Sequence, residues 1–460
     1  MQKLDFKNDN VTSLFFKQLF PALLGMIASA IYVVVDGIFV GQGVGSDGIA
    51  AVNINNPLMT FVSGLGLMFG MGGGVITALH LSRGQQKSAN RVLTQTVIST
   101  FVFSAIITLL LCIFPHEVGY MLGSDNYLIE HVAEYLFWYA QCFPFMVMMT
   151  VLPFFIRLSN PNVPMWALSI GAILNVILDY LFIFVFKWGL FGAAIATDIG
   201  QTVGALIMFV YLLKPTRAVR FIRPKINFRS VFFTLRDIRY MMILGFSVFL
   251  GEITVSIMGI AGNYAFMQYL GSNGVAAFSI VCYVFPVIFM VFNATVQSAQ
   301  PIVSYNYGYG QITRSQQALR LALIFAVSMA TLMSLAFLFV ANPIVSLFIP
   351  NPENPAWKIA VEGLPYFAAD FVFFGINTVI IGYYMSLERL HSANLLTLIR
   401  GILPVVFFFT LPSYLGNSGL WIAVAAADCG TTLVILLFIA AKRYRNHARI
   451  NKSTGNNLSF

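Results

Sequence analysis

Six acidic residues lie within strongly apolar stretches of this sequence. They are Asp36, Asp179, Asp198, Glu252, Asp370 and Asp428. A carboxylate at the centre of a bilayer costs several kcal/mol unless it is paired, protonated or in contact with water. These acids are therefore the first candidates for chemistry, and that chemistry would be the binding of cations or protons.

Asn175 and Asp179 are four residues apart, so that they share one face of a helix. Thr197, beside Asp198, could supply a hydroxyl oxygen to the same place. Carboxylate, amide and hydroxyl oxygens are the ligands that a hard cation such as Na⁺ uses, and the same carboxylates could instead carry a proton. The alternative interpretation is an interhelical hydrogen-bond cluster that only packs the helices.

Asp36 follows Pro21 by fifteen residues in the first apolar segment. Proline removes a helical hydrogen bond and permits a bend, so we predict a helix hinge at Pro21. On this interpretation Asp36 binds a cation and acts on the bend. The alternative is a solvated acid near the outer interface with no such role.

Glu252 and Asp370 could form a second acidic site in the other half of the chain. Alternatively, each is neutralised by a basic side chain, for example that of Arg400, which also lies in an apolar segment. The sequence assigns no partner to Asp428 and no role to Arg400.

The elements that position these residues follow from composition. The chain has 460 residues, of which 58% are hydrophobic and 9% charged, whereas a soluble domain is about 25% charged. We therefore predict an all-α polytopic membrane protein. The twelve predicted membrane-spanning segments are 14–40, 49–79, 92–114, 131–156, 164–186, 190–213, 240–270, 274–305, 321–341, 358–385, 394–414 and 419–441.

Basic residues give the orientation. With both termini in the cytoplasm, all but Lys187 and Lys358 of the 26 Lys and Arg residues fall on the cytoplasmic side. The excess of positive charge, +9, is thereby explained, and we expect no nucleic-acid partner. We expect a multi-pass protein of the cytoplasmic (inner) membrane.

The two halves of the chain resemble each other. Residues 45–52 recur as 271–278 at an offset of 226, and the glycine–alanine pattern of 189–196 recurs as 416–423 at an offset of 227. Two six-helix lobes related by a pseudo-twofold axis around a central cavity are predicted, which is an arrangement typical of transporters. The predicted organisation is an N-terminal lobe at 1–213, a basic cytoplasmic connection at 214–239, a C-terminal lobe at 240–441 and a basic cytoplasmic tail at 442–460.

Several motifs together resemble the multidrug and toxic compound extrusion (MATE) transporters of bacteria. They are Asp-Gly-Ile-Phe-Val-Gly at 36–41, the glycine–alanine motifs at 45–51 and 189–197, Asn175-x-x-x-Asp179, and Gln-Pro-Ile-Val at 300–303. The resemblance covers nearly the whole chain. It implies a secondary antiporter that exports cationic or amphipathic organic compounds, including antibiotics and other xenobiotics, in exchange for Na⁺ or H⁺.

The resemblance also implies residue roles. Asp36, Asn175, Asp179 and Thr197 correspond to the family's first-lobe cation site, with Asp198 as a further candidate, and Pro21 corresponds to its bending proline. Glu252 and Asp370 correspond to acids of a second-lobe cation or substrate site. No cofactor is expected other than the coupling ion, and we expect a monomer.

Other functions remain open at this stage. One is a flippase for a lipid-linked oligosaccharide or another lipid precursor, which would be expected to need a cationic cavity. Another is an integral-membrane enzyme of the prenyltransferase type, but no DDxxD motif is present. A channel is disfavoured by the asymmetric repeat. No GxxxxGK[ST] motif occurs, so the chain has no ATP-binding loop of its own.

Overall fold

The computed structural model describes residues 4–214, 219–223, 228–349 and 351–455. Within these ranges every regular element is helical. The helices are α1 (Val11–Gly43), α2 (Ser46–Ser82), α3 (Gln86–Ile113), α4 (Pro115–Met121), α5 (Ile129–Ala140), α6 (Phe143–Ile156), α7 (Asn162–Asp179), α8 (Gly189–Leu213), α9 (Phe228–Tyr309), α10 (Ile312–Phe348), α11 (Pro355–Ala368), α12 (Asp370–Ser386), α13 (Leu390–Thr410), α14 (Pro412–Leu415) and α15 (Asn417–Gly455).

In the described part of the chain, nine helical stretches are long and apolar enough to cross a membrane, and two bent pairs each supply another crossing. The bent pairs are α5 with α6, at 55°, and α11 with α12, at 42°. One of the nine stretches, Thr234–Tyr309, has 76 residues and changes direction at Gly271, so it provides two crossings. The predicted all-α, twelve-helix fold is confirmed, and each predicted segment falls inside one of these helical stretches or bent pairs, extending past its end by at most one residue.

Large apolar side chains are exposed along the helices. Leu109 on α3, Leu332 on α10 and Leu437 on α15 are each at least 60% exposed. A protein in water would bury such side chains, whereas in a bilayer they face lipid tails that are equally apolar. The exposed faces of these helices are therefore surfaces that suit contact with lipid.

The backbone supports the internal repeat. Gly45 and Gly271 both have a positive φ, at +100° and +64°, and so do Gly189 and Gly416, at +57° and +61°. These glycines begin the two pairs of matching motifs and adopt a conformation that L side chains rarely adopt. Gly45 and Gly416 directly precede α2 and α15, Gly189 is the first residue of α8, and Gly271 lies at the kink inside α9. The bend between α5 and α6 also recurs between α11 and α12, at an offset close to 227 residues.

The chain forms two compact units, each made of several segments. Unit 1 contains 1–256, 284–325 and 379–394, and unit 2 contains 257–283, 326–378 and 395–460. The predicted lobe boundaries at 1–213 and 240–441 stay predictions. Parts of the predicted connection at 214–239 and of the predicted tail at 442–460 lie outside the described residues.

Candidate functional site

Three helices of unit 1 bring together the four residues predicted for the first cation site. Asp36 lies on α1, Asn175 and Asp179 on α7, and Thr197 on α8. The Asn175 Nδ2 atom donates a hydrogen bond to Thr197 Oγ1 at 3.1 Å. The carboxyl groups of Asp36 and Asp179 interact directly with each other. We call these four residues the unit 1 cluster.

Two glycines allow α7 and α8 to approach closely enough for this contact. A Cβ atom on Gly171 would lie 2.7 Å from the carbonyl oxygen of Gly200, and one on Gly200 would lie 2.7 Å from that of Gly171. Only residues without a side chain permit such an approach between helices. The Gly200 position also lies directly against Asn175, so this crossing places Asn175 next to Thr197.

The α-helical hydrogen bonding of α7 ends at Asp179. A π-helical segment, Tyr180–Val185, follows immediately and still belongs to the same membrane crossing. Single π-helical turns within membrane helices often accompany functional positions, because they leave backbone groups and side chains in irregular arrangements. Asp179 therefore lies at the junction between α-helical and π-helical backbone.

Four oxygen atoms of the unit 1 cluster are buried and accept no hydrogen bond at ordinary hydrogen-bond geometry, although the carboxyl groups of Asp36 and Asp179 lie against each other and Asn175 lies beside Asp179. They are Oδ1 of Asp36, Oδ1 of Asn175 and both carboxylate oxygens of Asp179. Asp179 is fully buried, with 0% of its surface exposed. Buried polar atoms without partners are rare in native proteins and call for an explanation, such as a bound ion or proton. A cation held by these oxygens would satisfy them.

The cluster contains no internal positive charge. Among the residues that the structure describes, no Lys, Arg or His side chain forms an ion pair with Asp36 or Asp179. The described residues also include no group of three or more His, Cys, Asp or Glu side chains suited to a metal ion. The possible ligands in the cluster are oxygen atoms, which suit hard cations or protons.

Sequence reasoning missed a polar shell around the cluster. Tyr32 accepts a hydrogen bond from Gln201 Nε2 at 2.8 Å and interacts with both Asp36 and Asp179. Tyr135 and Tyr139, both buried on α5, also interact with Asp36. Tyr32 precedes Asp36 by four residues, and Tyr135 and Tyr139 are themselves four apart. The spacing of four was therefore the signal that could have found them.

Asp198 lies next to the unit 1 cluster, and its side chain contacts a different residue. It is buried on α8 and contacts Cys142, which lies between α5 and α6 where the two helices bend. Its Oδ2 atom accepts no hydrogen bond. Tyr135 interacts with Asp198 as well as with Asp36 and Asp179, so it connects Asp198 to the cluster. Pro21 is buried within α1, and its role as a hinge stays a prediction.

The second predicted pair of acids is divided between the two units. Glu252, on α9, belongs to unit 1, where its Cβ atom lies against Gly64 of α2. Within the described ranges it forms no ion pair. Asp370 is fully buried at the first residue of α12, in unit 2. A joint site of Glu252 and Asp370 stays a prediction.

Unit 2 contains a second buried cluster that the sequence did not reveal. Arg400 Nε lies 3.3 Å from Asp428 Oδ1 and its guanidinium group stacks 4.0 Å above the ring of Phe374. Asn377 Nδ2 donates to Asp428 Oδ1 at 2.9 Å, and Asp370 interacts with both Asp428 and Arg400. The acid paired with Arg400 is thus Asp428.

A family model provides the comparison that decides the identity. The model described as MatE matches residues 21–181 and 248–410, more than half of the chain. This chain belongs to the MatE family. The two matched stretches of this MatE protein begin 227 residues apart, which agrees with the internal repeat.

Curated proteins and solved structures agree with this MatE assignment. The chain is 20% identical over 435 residues to a multidrug export protein MepA of Staphylococcus saprophyticus, covering 92% of each chain. It is 22% identical over 440 residues to the protein of that name from Staphylococcus haemolyticus, covering 94% of each.

Solved transporter structures share the fold of this MatE protein, and two of them serve as examples. A multidrug resistance MATE family transporter in an outward-facing conformation matches with a TM-score of 0.86 at 20% identity, covering 96% of this chain and 97% of that one. A MOP superfamily transporter from Pyrococcus furiosus matches with a TM-score of 0.86 at 19% identity, covering 95% and 97%. The prediction of a multi-pass transporter rather than an enzyme is confirmed.

Proposed function

We propose that this MatE protein exports organic cations and amphipathic drugs in exchange for H⁺ or Na⁺ bound at the unit 1 cluster. The four buried oxygens without hydrogen-bond partners, in a cluster without a basic side chain, carry the proposal. The names of the MepA relatives support export of several drugs as the direction and cargo class.

The mechanism follows from charge. Asp36 and Asp179 on adjacent helices repel each other when both are ionised, and burial makes that repulsion strong. A proton or Na⁺ removes the repulsion and lets α1 and α7 pack closely. A cationic drug neutralises the same charge. Each cation therefore favours the release of the other, and linkage makes the effect reciprocal.

The orientation and location belong to the same proposal. The distribution of Lys and Arg supports cytoplasmic termini and insertion in the cytoplasmic membrane. We also propose a monomer, since the four residues of the unit 1 cluster meet within a single chain and need no second copy to complete the cluster.

Asp36→Asn tests the proposal. In proteoliposomes containing the full-length protein, the wild type should expel ethidium when an inward H⁺ or Na⁺ gradient is imposed. Asp36→Asn keeps the shape of the side chain but removes the charge, so it should abolish gradient-driven efflux while the protein elutes as a folded species. Asp125→Asn, at an exposed acid of the same unit, is the matched control and should transport normally.

The H⁺ and Na⁺ gradients should be imposed separately, because the same oxygens suit either ion. Efflux that responds to one gradient alone identifies the coupling ion. Normal efflux by Asp36→Asn, or wild-type efflux that ignores both gradients, would contradict the proposal.

A further inference from the structure

Unit 1 contains a buried basic residue, Arg157, directly after the end of α6. It has 2% of its surface exposed, and in the part of the chain that the structure describes no other Lys or Arg is buried to this degree. Its Nη1 atom donates a hydrogen bond to Oε1 of Gln297 on α9, which belongs to a neutral amide. Because Arg does not lose its proton in proteins, this buried group stays positively charged.

No acidic side chain compensates this charge. The ion pairs found among the described residues do not include Arg157, and no acid of these residues acts on its guanidinium group electrostatically. In unit 2, by contrast, Arg400 has Asp428 at 3.3 Å. A buried cation is costly unless an opposite charge accompanies it, so the charge of Arg157 calls for a counter-ion.

The end of α6 does not need the guanidinium group as a cap. The carbonyl oxygens of Pro153, Phe155 and Ile156 accept hydrogen bonds from the backbone of the turn that follows. The carbonyl oxygen of Arg157 itself accepts from Gln18 Nε2 of α1 at 2.7 Å. The partial charge at a helix end also amounts to only about half an elementary charge. These carbonyl groups therefore leave much of the positive charge uncompensated.

Hydrogen-bond donors without partners lie on the helices around this residue. Gln300 of α9 is 1% exposed, and its Nε2 atom has no hydrogen-bond partner among the described residues. A Cβ atom on Gly74 of α2 would lie 3.7 Å from this nitrogen and 3.0 Å from Cβ of Phe154, so α2, α6 and α9 meet here, one turn before Arg157. The hydroxyl group of Thr77, one turn beyond Gly74, is also buried without a partner. Buried polar groups without partners call for an explanation.

Charge and space define what would satisfy these groups. A guanidinium group, an amide nitrogen and a hydroxyl group can all donate, which suits an anion. One monovalent anion brings the sum of charges to zero, whereas a divalent anion would leave a buried negative charge. The close packing of the three helices at Gly74 leaves no room for a bulky organic anion.

We propose that Arg157 and Gln300 hold one small monovalent inorganic anion, of the chloride class, where α2, α6 and α9 meet. The hydroxyl group of Thr77 is a third candidate donor. Binding of this anion does not depend on the proposed export function, because it is measured on the purified protein without any transport.

Binding of radioactive chloride to the purified full-length protein tests the proposal, with gluconate keeping the ionic strength constant. The wild type should bind one chloride ion per chain in a saturable manner. Arg157→Gln removes the charge and should weaken binding by at least about tenfold, as expected for a charge-assisted hydrogen bond. Arg91→Gln removes an exposed positive charge from α3 of the same unit, so it is the matched control and should bind as the wild type does.

Gln297→Glu provides a second test that keeps Arg157 in place. The new carboxylate has the shape of the amide and contacts Arg157 directly, so it should supply the counter-ion and abolish chloride binding. Chloride should raise the temperature of thermal unfolding of the wild type but not that of Gln297→Glu. Gln316→Glu, at an exposed position of α10, adds the same charge elsewhere and should leave both chloride effects intact.

Competition with other anions tests the class of ligand. Bromide and nitrate should displace chloride, whereas gluconate and sulfate should not. No saturable chloride binding by the wild type, equal losses in Arg157→Gln and Arg91→Gln, or binding that persists in Gln297→Glu would overturn the proposal. If Arg157→Gln fails to fold, Gln297→Glu decides. Chloride binding as expected together with failed ethidium efflux would reject the export function alone.

Discussion

Both units bury a group of carboxyl residues, yet the two groups differ in how their charge is compensated. In unit 1, Asp36 and Asp179 lie together with Asn175 and Thr197 and interact with Tyr32, and no basic side chain of the described residues forms an ion pair with them. In unit 2, Asp428 pairs with Arg400 at 3.3 Å, and Asp370 lies beside this pair. We therefore expect the unit 1 cluster to be neutralised by a cation from outside, whereas the unit 2 cluster has Arg400 beside its acids.

The comparison shows how one duplicated backbone carries two kinds of chemistry. The positive φ of Gly45 and Gly271 shows that the halves keep the same turns. At the repeat offset of 227 residues, however, Asn175 and Asp179 correspond to Ile402 and Val406. The acids of unit 2, Asp370 on α12 and Asp428 on α15, do not lie at positions that match Asp36 and Asp179, and Asp428 is paired with Arg400. A duplication thus preserves helix geometry more strictly than it preserves the polar residues.

The largest expected effect on stability concerns the internal cation of unit 2. Asp370→Asn/Asp428→Asn leaves the Arg400 guanidinium, whose side chain is only 16% exposed, without a carboxylate, and we expect it to destabilise the protein by about 3 kcal/mol. Asp428→Asn alone should have a smaller effect, since Asp370 can ionise and take over the pairing. Unfolding in detergent, followed by tryptophan fluorescence, measures both.

Adding Arg400→Gln to that double variant removes the unpaired charge, so it should recover most of the lost stability. A double variant as stable as the wild type would show that Arg400 finds another partner, and the contrast between the clusters would then be wrong.

A basic side chain introduced into the unit 1 cluster should neutralise its acids from within the protein, as Arg400 does for Asp428 in unit 2. In Asn175→Lys the new ammonium group lies beside Asp179 and supplies the missing cation. We expect the rate of ethidium efflux to stop depending on the imposed ion gradient. This corresponds to a loss of about 1–3 kcal/mol in the coupling free energy between the ion and ethidium. Efflux assays in proteoliposomes measure this loss. Asn175→Gln, which keeps an amide, should retain coupling, and a Lys variant with intact ion dependence would contradict the account.

A smaller effect is expected at the crossing of α7 and α8. In Gly200→Ala the new Cβ atom would lie 2.7 Å from the carbonyl oxygen of Gly171, so the helices must separate. We expect a loss of about 1–3 kcal/mol in stability together with weaker ion coupling, because Asn175 moves away from Thr197. Thermal unfolding and efflux are measured on the same preparation.

The matched control for that variant is Gly251→Ala on α9, where the added Cβ atom meets no atom within 4 Å. Alanine at an unobstructed helical position should be neutral or slightly stabilising. Equal behaviour of the two variants would show that the close approach of α7 and α8 does not position the cluster.

The sequence predicted the fold well because hydropathy and the distribution of basic residues are local signals. The same holds for Asn175 and Asp179, whose spacing places them on one helix face. The pairing of Arg400 with Asp428 was not predictable, because it joins α13 to α15 through tertiary packing. The bends next to Cys142 and Asp370 were also missed, since periodicity does not change where an apolar helix breaks.

The dependence of ethidium binding on pH and Na⁺ tests the central claim most directly. With purified full-length protein, ethidium fluorescence gives the affinity while H⁺ or Na⁺ concentration is varied. If the unit 1 oxygens bind the coupling ion, raising that ion should weaken ethidium binding to the wild type, and Asp179→Asn should lose this dependence. A wild-type affinity that neither ion changes, or a full dependence in Asp179→Asn, would contradict the account.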